Sequence, residues 1–133
     1  MCWGLGMGLA CACDVRLSTS TARFRVNEAD IGIIASFGTL RLLPKVVSNS
    51  TWIHDITLSA REFDAKEALR VGFVSSVWKS GDEAICEGIK LAEMIAARSP
   101  SSTKMAKQAI LRSRNAQKGN IVLSPLILDC KVR

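Results

Sequence analysis

The sequence predicts an α/β fold, a single globular unit of short strands and helices that ends in helices. Its 133 residues are 48% hydrophobic and 23% charged, enough for one core and too short for two comfortable domains. Short runs of alternating apolar and polar residues are typical of half-buried strands, and a longer run near the end has helical spacing. These observations indicate strands and helices that alternate along the chain.

The first elements are predicted from alternation and from one proline. Apolar and polar residues alternate over 15–18 and again over 23–26, on either side of a Ser/Thr-rich bend. This pattern predicts a pair of short strands. The segment 38–47 has helical character but contains Pro44, so we expect a short helix that the proline breaks.

The middle of the chain continues the alternation of helix and strand. Ser50 or Thr51 is expected to cap a helix that runs to Leu58, because either hydroxyl can accept a free backbone N–H. Asp64 is expected to cap a further helical turn in the same way. The run 73–78 is rich in β-branched and aromatic residues and predicts a strand.

The segment 82–98 is the clearest helix, with acidic residues in its first turn and Arg98 in its last. Its apolar residues at helical spacing are Ile85, Ile89, Ala92 and Ala96. Pro100 then starts another helix, which is expected to run to about Gln117. Three apolar residues of this last helix are expected to face a partner surface: Met105, Ala109 and Leu111.

The net charge of +6 is compatible with several anionic partners and singles out none of them. The densest basic group falls on the last predicted helix, without aromatic residues beside it: Lys104, Lys107, Arg112, Arg114 and Lys118. A solvated helix face explains this group better than a nucleic-acid interface, so we expect no nucleic-acid partner. The rival interpretation, nucleic-acid binding through this helix, predicts an affinity that falls steeply as the salt concentration rises.

The cysteines do not predict a metal site. Five cysteines form no CxxC pair, and His54 is the only histidine, so we expect no metal. Cys11, Cys13 and Cys86 lie in apolar company and are interpreted as small core residues. No apolar stretch reaches the ~18 residues of a membrane span, and the opening residues lack the basic start of a signal peptide.

Several motifs carry a family resemblance. The segment 26–43 places Glu28 just ahead of a glycine-punctuated apolar loop and a helix, and Gly-Leu-Gly-Met-Gly and Ala-Cys-Asp-Val-Arg occupy 4–8 and 12–16. With 58–64 and 68–75, these segments resemble the crotonase superfamily of enoyl-CoA hydratases and isomerases. Within it the sequence looks most like dienoyl-CoA isomerases, especially fungal ones, over roughly residues 2 to 114.

This resemblance implies a truncated crotonase-like (ClpP/crotonase) fold that corresponds to the C-terminal half only. A partial enoyl-CoA hydratase/isomerase domain is expected over 1–117, with a divergent tail over 118–133. Family members assemble as trimers or hexamers, so we expect a homo- or hetero-oligomer. In the family, the C-terminal helices build the trimer interface and part of the acyl pocket.

The resemblance also assigns site residues. The backbone N–H of Leu5, at the amino end of a short buried helix, corresponds to one of two donors to the thioester oxygen, and the other donor belongs to the absent half. Glu28 corresponds to the glutamate that carries protons. The two aspartates of the dienoyl-CoA isomerases fall on Gly8 and Ser36, so two of three acidic positions are lost.

Glu28 also needs apolar walls to work as a base near neutral pH. The residues expected to supply them are Ile31, Ile33, Ile34 and Phe37, of which Ile33 and Phe37 are the predicted substrate pocket. Without the resemblance, Glu28 would be interpreted as a glutamate at the end of a strand that is exposed to water. Asp30, two residues on, is expected to make only local hydrogen bonds in a turn.

The implied function is double-bond isomerisation of unsaturated acyl-CoA thioesters through an enolate, without a cofactor beyond the coenzyme A thioester itself. The pathway is fatty-acid β-oxidation or the biosynthesis of a fungal acyl-derived secondary metabolite or toxin. Relatives work in peroxisomes or mitochondria; the final Lys-Val-Arg is not a peroxisomal signal, which leaves the cytoplasm open. The alternative is a catalytically impaired paralogue that serves as an interaction subunit of a crotonase oligomer.

Overall fold

The computed structural model describes residues 1–35 and 38–115, in which short strands alternate with helices as predicted. The strands are β1 (Cys2–Trp3), β2 (Leu17–Thr19), β3 (Arg23–Arg25), β4 (Glu62–Asp64) and β5 (Ser76–Trp78). The helices are α1 (Leu5–Ala12), α2 (Thr39–Val46), α3 (Ser50–Leu58), α4 (Ala65–Arg70), α5 (Gly81–Ala96) and α6 (Pro100–Asn115). A 3₁₀ turn, Glu28–Ile31, follows β3.

The strands form two small sheets. In the first sheet, β3 lies between β1, to which it is parallel, and β4, to which it is antiparallel. In the second, β2 and β5 pair in parallel. The two strands predicted on either side of the bend are both present, but they do not pair with each other. Alternation within a segment predicts that it is a strand, whereas its partner is decided by distant segments.

Aromatic rings fill the centre of the core. The register places Phe24 of β3 opposite Phe63 of β4, and their rings stack with centroids 5.3 Å apart. Trp52 meets Phe63 edge to face at 5.0 Å, and Phe73 meets Phe24 in the same way at 5.6 Å. Such pairs add about 0.5–1.5 kcal/mol each beyond the burial of their surface. All four side chains are buried, so this core is complete within the chain.

The helix caps are partly as predicted. Asp64 caps α4, because its side chain accepts the backbone N–H of Glu67 at 2.7 Å. The cap of α3 is Asn49, whose side chain accepts the N–H of Trp52 at 3.0 Å. The prediction of Ser50 or Thr51 was therefore wrong by one or two positions, since all three residue types make good caps and only the backbone decides among them.

Two further element predictions were wrong in detail. Pro44 does not break α2, which continues to Val46, two residues beyond it. The strand predicted over 73–78 is shortened to β5, because the N–H groups of Phe73 and Val74 both donate to the carbonyl of Ala68 at the end of α4. That local hydrogen bonding keeps both residues out of a strand, and it buries them in the core instead.

The chain divides into two compact units, Met1–Ala92 and Glu93–Arg133. The second unit begins within α5, and its described part continues with α6. The helices predicted over 82–98 and from Pro100 are both present as α5 and α6. The predicted helix end at Gln117 and the tail 118–133 lie outside the described residues. In the described part of the chain, no helix is long and apolar enough to cross a membrane.

The described cysteines differ from one another in burial. Cys11 is buried in α1, and this burial raises the pKa of its thiol to about 11. Cys13 and Cys86, which the sequence suggested were core residues, are exposed. Cys13 lies just past the end of α1, and Cys86 lies on α5, which buries no residue. Apolar neighbours in sequence did not predict burial here, because Cys13 lies beyond the helix and the apolar neighbours of Cys86 on α5, such as Ile85, are themselves exposed.

Candidate active site

The parallel pairing of β1 with β3 builds the candidate site. Gly4 follows β1, and its backbone N–H donates to the carbonyl of Arg25, the last residue of β3, at 3.2 Å. The chain after β1 turns directly into α1, while the chain after β3 turns into the 3₁₀ turn that begins at Glu28. The carboxyl ends of parallel strands meet at one edge of a sheet, so the turn into α1 and the turn that begins at Glu28 lie side by side.

Gly4 allows the close approach of these two turns. Its φ of 50° is a conformation that residues with a side chain rarely adopt. A Cβ atom at this position would lie 2.9 Å from Oδ1 of Asn27 and 3.7 Å from Oε1 of Glu28. Any larger residue would therefore push against the two side chains that follow β3. The Glu28 carboxyl group lies directly against the turn into α1.

The Glu28 carboxyl group has one oxygen without a partner. Its Oε2 atom is buried and makes no hydrogen bond to residues 1–35 or 38–115. The backbone of the same residue is held, because its carbonyl accepts the N–H of Ile33 at 3.1 Å. A buried polar atom without a partner is rare in folded proteins and needs a specific explanation. A proton donor on a bound ligand is one such explanation.

The amino end of α1 offers backbone donors to the same region. The N–H groups of Met7 and Gly8 are already engaged, because they donate to the carbonyl of Gly4 at 2.9 and 3.3 Å. The N–H of Leu5 is at the first helical position, where an α-helix contains no acceptor for it. The helix dipole adds partial positive charge at this end. This geometry suits a donor to a developing oxyanion, and the role of Leu5 stays a prediction.

The remaining predicted site residues are only partly placed. Gly8 is buried in α1, whereas Ser36 and Phe37 lie outside the described residues. Ile33 is 57% exposed and Ile34 75% exposed, so they do not enclose Glu28 within this chain. Their role as pocket walls stays a prediction that requires a further surface to close over them.

Arg25 is a residue near the site that the sequence did not single out. Its guanidinium donates to the carboxylate of Asp30 and to the backbone carbonyl of Ala60, and lies 5.7 Å from the ring centroid of Trp3. Asp30 therefore pairs with Arg25, beyond the local turn bonding that was expected of it. In the sequence, Arg25 occupies an alternating strand position of the kind that usually faces water. No sequence signal distinguished it from such a residue.

The described residues contain no group of three His, Cys, Asp or Glu side chains that could hold a metal ion. His54 is exposed on α3, and its Nδ1 lies 2.7 Å from the carbonyl of Ser50. Its neighbour Asp55 forms an ion pair with Arg61 instead of with the histidine. The absence of a metal and of a cofactor stays a prediction.

A surface concavity of about 600 Å³ lies elsewhere, beside β5 and α5. It is lined by Val77, Trp78, Lys79, Glu83, Cys86, Glu87 and Lys90. Its charged residues are engaged locally: Lys90 pairs with Glu87 at 2.6 Å, and Glu83 accepts the N–H of Lys79 at 3.0 Å. None of the predicted site residues lines it, so the chemistry is assigned to the Glu28 region.

The fold is that of the crotonases. A probable enoyl-CoA hydratase/isomerase from Mycobacterium abscessus superimposes with a TM-score of 0.81 at 33% identity, over 87% of this chain and 44% of that one. Pseudomonas aeruginosa DspI superimposes with a TM-score of 0.81 at 32% identity, over 86% and 46% of the two chains. These matches confirm the predicted fold class, and this chain covers less than half of each matched structure. That it corresponds to the C-terminal half stays a prediction.

The sequence comparisons identify the family. The profile described as Enoyl-CoA hydratase/isomerase matches residues 1–122, and the chain belongs to this family. It is 39% identical over 114 residues to the mitochondrial Delta(3,5)-Delta(2,4)-dienoyl-CoA isomerase of Mus musculus, covering 86% of this chain. It is 37% identical over 113 residues to the peroxisomal enzyme of that name from Arabidopsis thaliana, covering 85% of this chain. The predicted likeness to dienoyl-CoA isomerases is confirmed.

The coverage of these relatives is partial. The matched region is 35% of the mouse protein and 40% of the Arabidopsis protein. The chain thus spans little more than a third of the length of the curated relatives it matches. The activity, substrates and partners of a whole family member are therefore matters of proposal for this chain.

Proposed function

We propose that this chain contributes to a site that isomerises a double bond in unsaturated acyl-CoA thioesters. The observation that carries the proposal is the position of the Glu28 carboxyl group against the amino end of α1, with Oε2 buried and without a hydrogen-bond partner among residues 1–35 and 38–115. A base and an oxyanion donor side by side are what proton abstraction next to a thioester requires. The named similarity to dienoyl-CoA isomerases supports the same reaction class.

In the proposed reaction, Glu28 takes a proton from a carbon of the acyl chain. The electron pair of the broken C–H bond moves toward the thioester oxygen and forms an enolate. The N–H of Leu5 stabilises the negative charge on that oxygen, and removing one such donor typically costs about 10² to 10³ in rate. Glu28 then returns the proton to a different carbon, so the double bond moves and no redox cofactor is consumed.

The lost acidic positions restrict the chemistry. Gly8 and Ser36 replace the two aspartates expected from the dienoyl-CoA isomerases, so Glu28 is the one acid left for the reaction. One acid suffices to move a proton between two carbons, whereas hydration needs two and is disfavoured. In the family, the second oxyanion donor belongs to a part of the fold that residues 1–133 do not include. A homo- or hetero-oligomer is a further part of the proposal. The pathway, whether β-oxidation or secondary-metabolite or toxin biosynthesis, and the compartment, whether peroxisome, mitochondrion or cytoplasm, remain part of the proposal.

Calorimetric titration of the purified, folded chain with a medium-chain enoyl-CoA tests the proposal first. We expect saturable binding, and turnover that Glu28→Gln abolishes while it keeps the size of the side chain. Glu62→Gln is the matched control, because Glu62 is an exposed carboxylate of β4 that pairs with Arg23. The proposal fails if the folded chain does not bind the thioester, or if Glu28→Gln turns over like the control.

A second candidate function is that of an interaction subunit without catalysis. Two separate exposed apolar groups favour it: the isoleucines at 31, 33 and 34, and Ile85 with Ile89 one helical turn apart on α5. Exposed groups of large apolar side chains are typical of interfaces. This function predicts that the chain co-purifies with a longer crotonase. Turnover by the isolated chain that disappears in Glu28→Gln would contradict it.

A further inference from the structure

Arg25 contacts both turns that form the candidate site. It is the last residue of β3, three residues before Glu28, and its carbonyl accepts the N–H of Gly4 at 3.2 Å. Its side chain is about 28% exposed, so its charge is partly removed from water. The backbone of this one residue already touches the start of α1. The side chain of Arg25 makes further contacts, with Asp30, Ala60 and Trp3.

The first contact of the guanidinium is with the Glu28 turn. Nη2 donates to Oδ2 of Asp30, two residues after Glu28 in the same 3₁₀ turn. A hydrogen bond between two charged groups is roughly twice as strong as one between neutral groups. The turn that presents Glu28 is therefore tied to β3 by a side chain as well as by its backbone.

The second and third contacts are with β1 and with the connection between α3 and β4. The guanidinium lies over the ring of Trp3, the residue just before Gly4, at 5.7 Å from its centroid. Its Nε donates to the carbonyl of Ala60, which has a left-handed φ of 49°. Through these contacts one planar cation is fixed between the two turns and the body of the first sheet.

We propose that Arg25 is a positioning residue, which holds the Glu28 turn in register with the amino end of α1. The inference rests on the proposed function for its catalytic consequence. The Glu28 carboxyl group lies close to the turn into α1, since a Cβ atom on Gly4 would be 3.7 Å from its Oε1 atom. Misplacing a reacting group by about 1 Å can cost about 10²-fold in rate. Loss of Arg25 therefore lowers turnover more than it weakens binding of the thioester.

The experiment compares Arg25→Gln with Arg23→Gln, a matched control on the same strand. Arg23 pairs with Glu62 at 3.4 Å, away from Glu28. For each variant, kcat and KM are measured with a medium-chain enoyl-CoA, alongside amide hydrogen exchange of residues 28–33. Three amides of this region are hydrogen-bonded within the turn and report on its order: Asp30, Gly32 and Ile33.

Arg25→Gln is expected to lower kcat by about 10- to 100-fold with a much smaller change in KM, and to raise exchange in the turn about tenfold or more. Asp30→Asn reproduces the faster exchange if the pair with Arg25 holds the turn. Arg25→Lys recovers only part of kcat, because a lysine cannot reach Asp30 and Ala60 with one planar fork. Arg23→Gln stays close to the wild type in both measurements.

Equal kcat values and equal exchange in Arg25→Gln and Arg23→Gln would overturn the inference. If Arg25→Gln is too unstable to purify, Asp30→Asn decides between the same two outcomes. A wild-type chain that neither binds nor turns over the thioester refutes the proposed function instead. In that case the exchange of residues 28–33 alone decides whether Arg25 orders the turn.

Discussion

The aromatic core and the Glu28 site both start from β3, yet the chain completes only one of them. Phe24, Phe63 and Phe73 pack against one another and are at most 6% exposed. On the other side, Ile33 and Ile34, the expected walls beside Glu28, are more than half exposed. The aromatic residues of the core are thus packed on all sides, whereas the residues expected to enclose the substrate are not covered by residues 1–35 and 38–115.

This difference shows that folding and activity make different demands on the same chain. The aromatic core requires that rings from β3, α3, β4 and the segment after α4 meet, and all of these lie within residues 24–73. The proposed site requires a base, two oxyanion donors and apolar walls, of which Glu28 and the Leu5 N–H are the base and the one donor proposed for this chain. We therefore expect core variants to change stability and site variants to change binding, with little overlap.

The largest expected effect is on the core. Phe73→Ala removes a fully buried ring that contacts Phe24 and Phe63 and lies beneath the guanidinium of Arg16. We expect the free energy of unfolding to fall by about 3–5 kcal/mol. Denaturant titration followed by circular dichroism measures this change. A loss below about 1 kcal/mol would mean that the core is looser than the contacts indicate.

A smaller effect is expected where the two regions meet, at Gly4. Gly4→Ala forces a side chain into a positive φ and against Asn27, which we expect to cost about 1–3 kcal/mol and to abolish thioester binding. Gly88→Ala is the control: it lies within α5 with nothing within 4 Å of the new Cβ. That variant should gain about 0.5–1 kcal/mol and leave binding unchanged. Equal effects of the two variants on binding would remove Gly4 from the site.

The next prediction concerns pH. The hydrogen bonds from Arg61, followed by that from Trp52 Nε1–H, hold the pKa of Glu67 below its usual value, although partial burial acts in the opposite direction. A carboxyl group whose pKa is lowered by folding stabilises the protein above its unfolded pKa of about 4.3. This contribution is lost as the pH falls through the lower, folded pKa.

We therefore expect the melting temperature to fall as the pH is lowered below about 4.5, and less steeply in Glu67→Gln than in the wild type. Arg61→Met removes the main cause of the lowered pKa and should flatten the same part of the profile. Thermal melts of the wild type and both variants between about pH 2 and pH 7 give the three melting-temperature profiles. Identical profiles would show that the Arg61–Glu67 pair does not contribute to stability.

The smallest effect on stability is expected at the open side of the site. Ile34→Ser changes a side chain that is 75% exposed, so the free energy of unfolding should stay within about 0.5 kcal/mol. Self-association should decrease in the same variant, because an exposed apolar side chain is replaced by a polar one. Light scattering and a denaturant titration check both expectations. A large loss of stability would mean that Ile34 is covered in solution.

Particular elements show how far sequence reasoning reached. Asp64 was predicted as a cap and is one, since a cap depends on a residue type and its distance from the helix. The partners of the strands predicted at 15–18 and 23–26 were missed. The first pairs with β5 and the second with β1 and β4, which come from other parts of the chain. The exposure of Cys86 was missed for a similar reason, since whether α5 buries a face depends on packing with other elements, and it buries no residue here.

The sequence by itself determined the α/β class, most of the helices and the family, because these depend on spacing, caps and short motifs that few residues encode. It also singled out Leu5 and Glu28, by resemblance. Only the tertiary structure decided that Glu28 lies against Gly4, with one carboxylate oxygen that finds no partner in the described part of the chain, and that Arg25 links Asp30 to Trp3. These relations join residues whose approach is set by the pairing of β1 with β3, and no local pattern encodes the energy of that pairing.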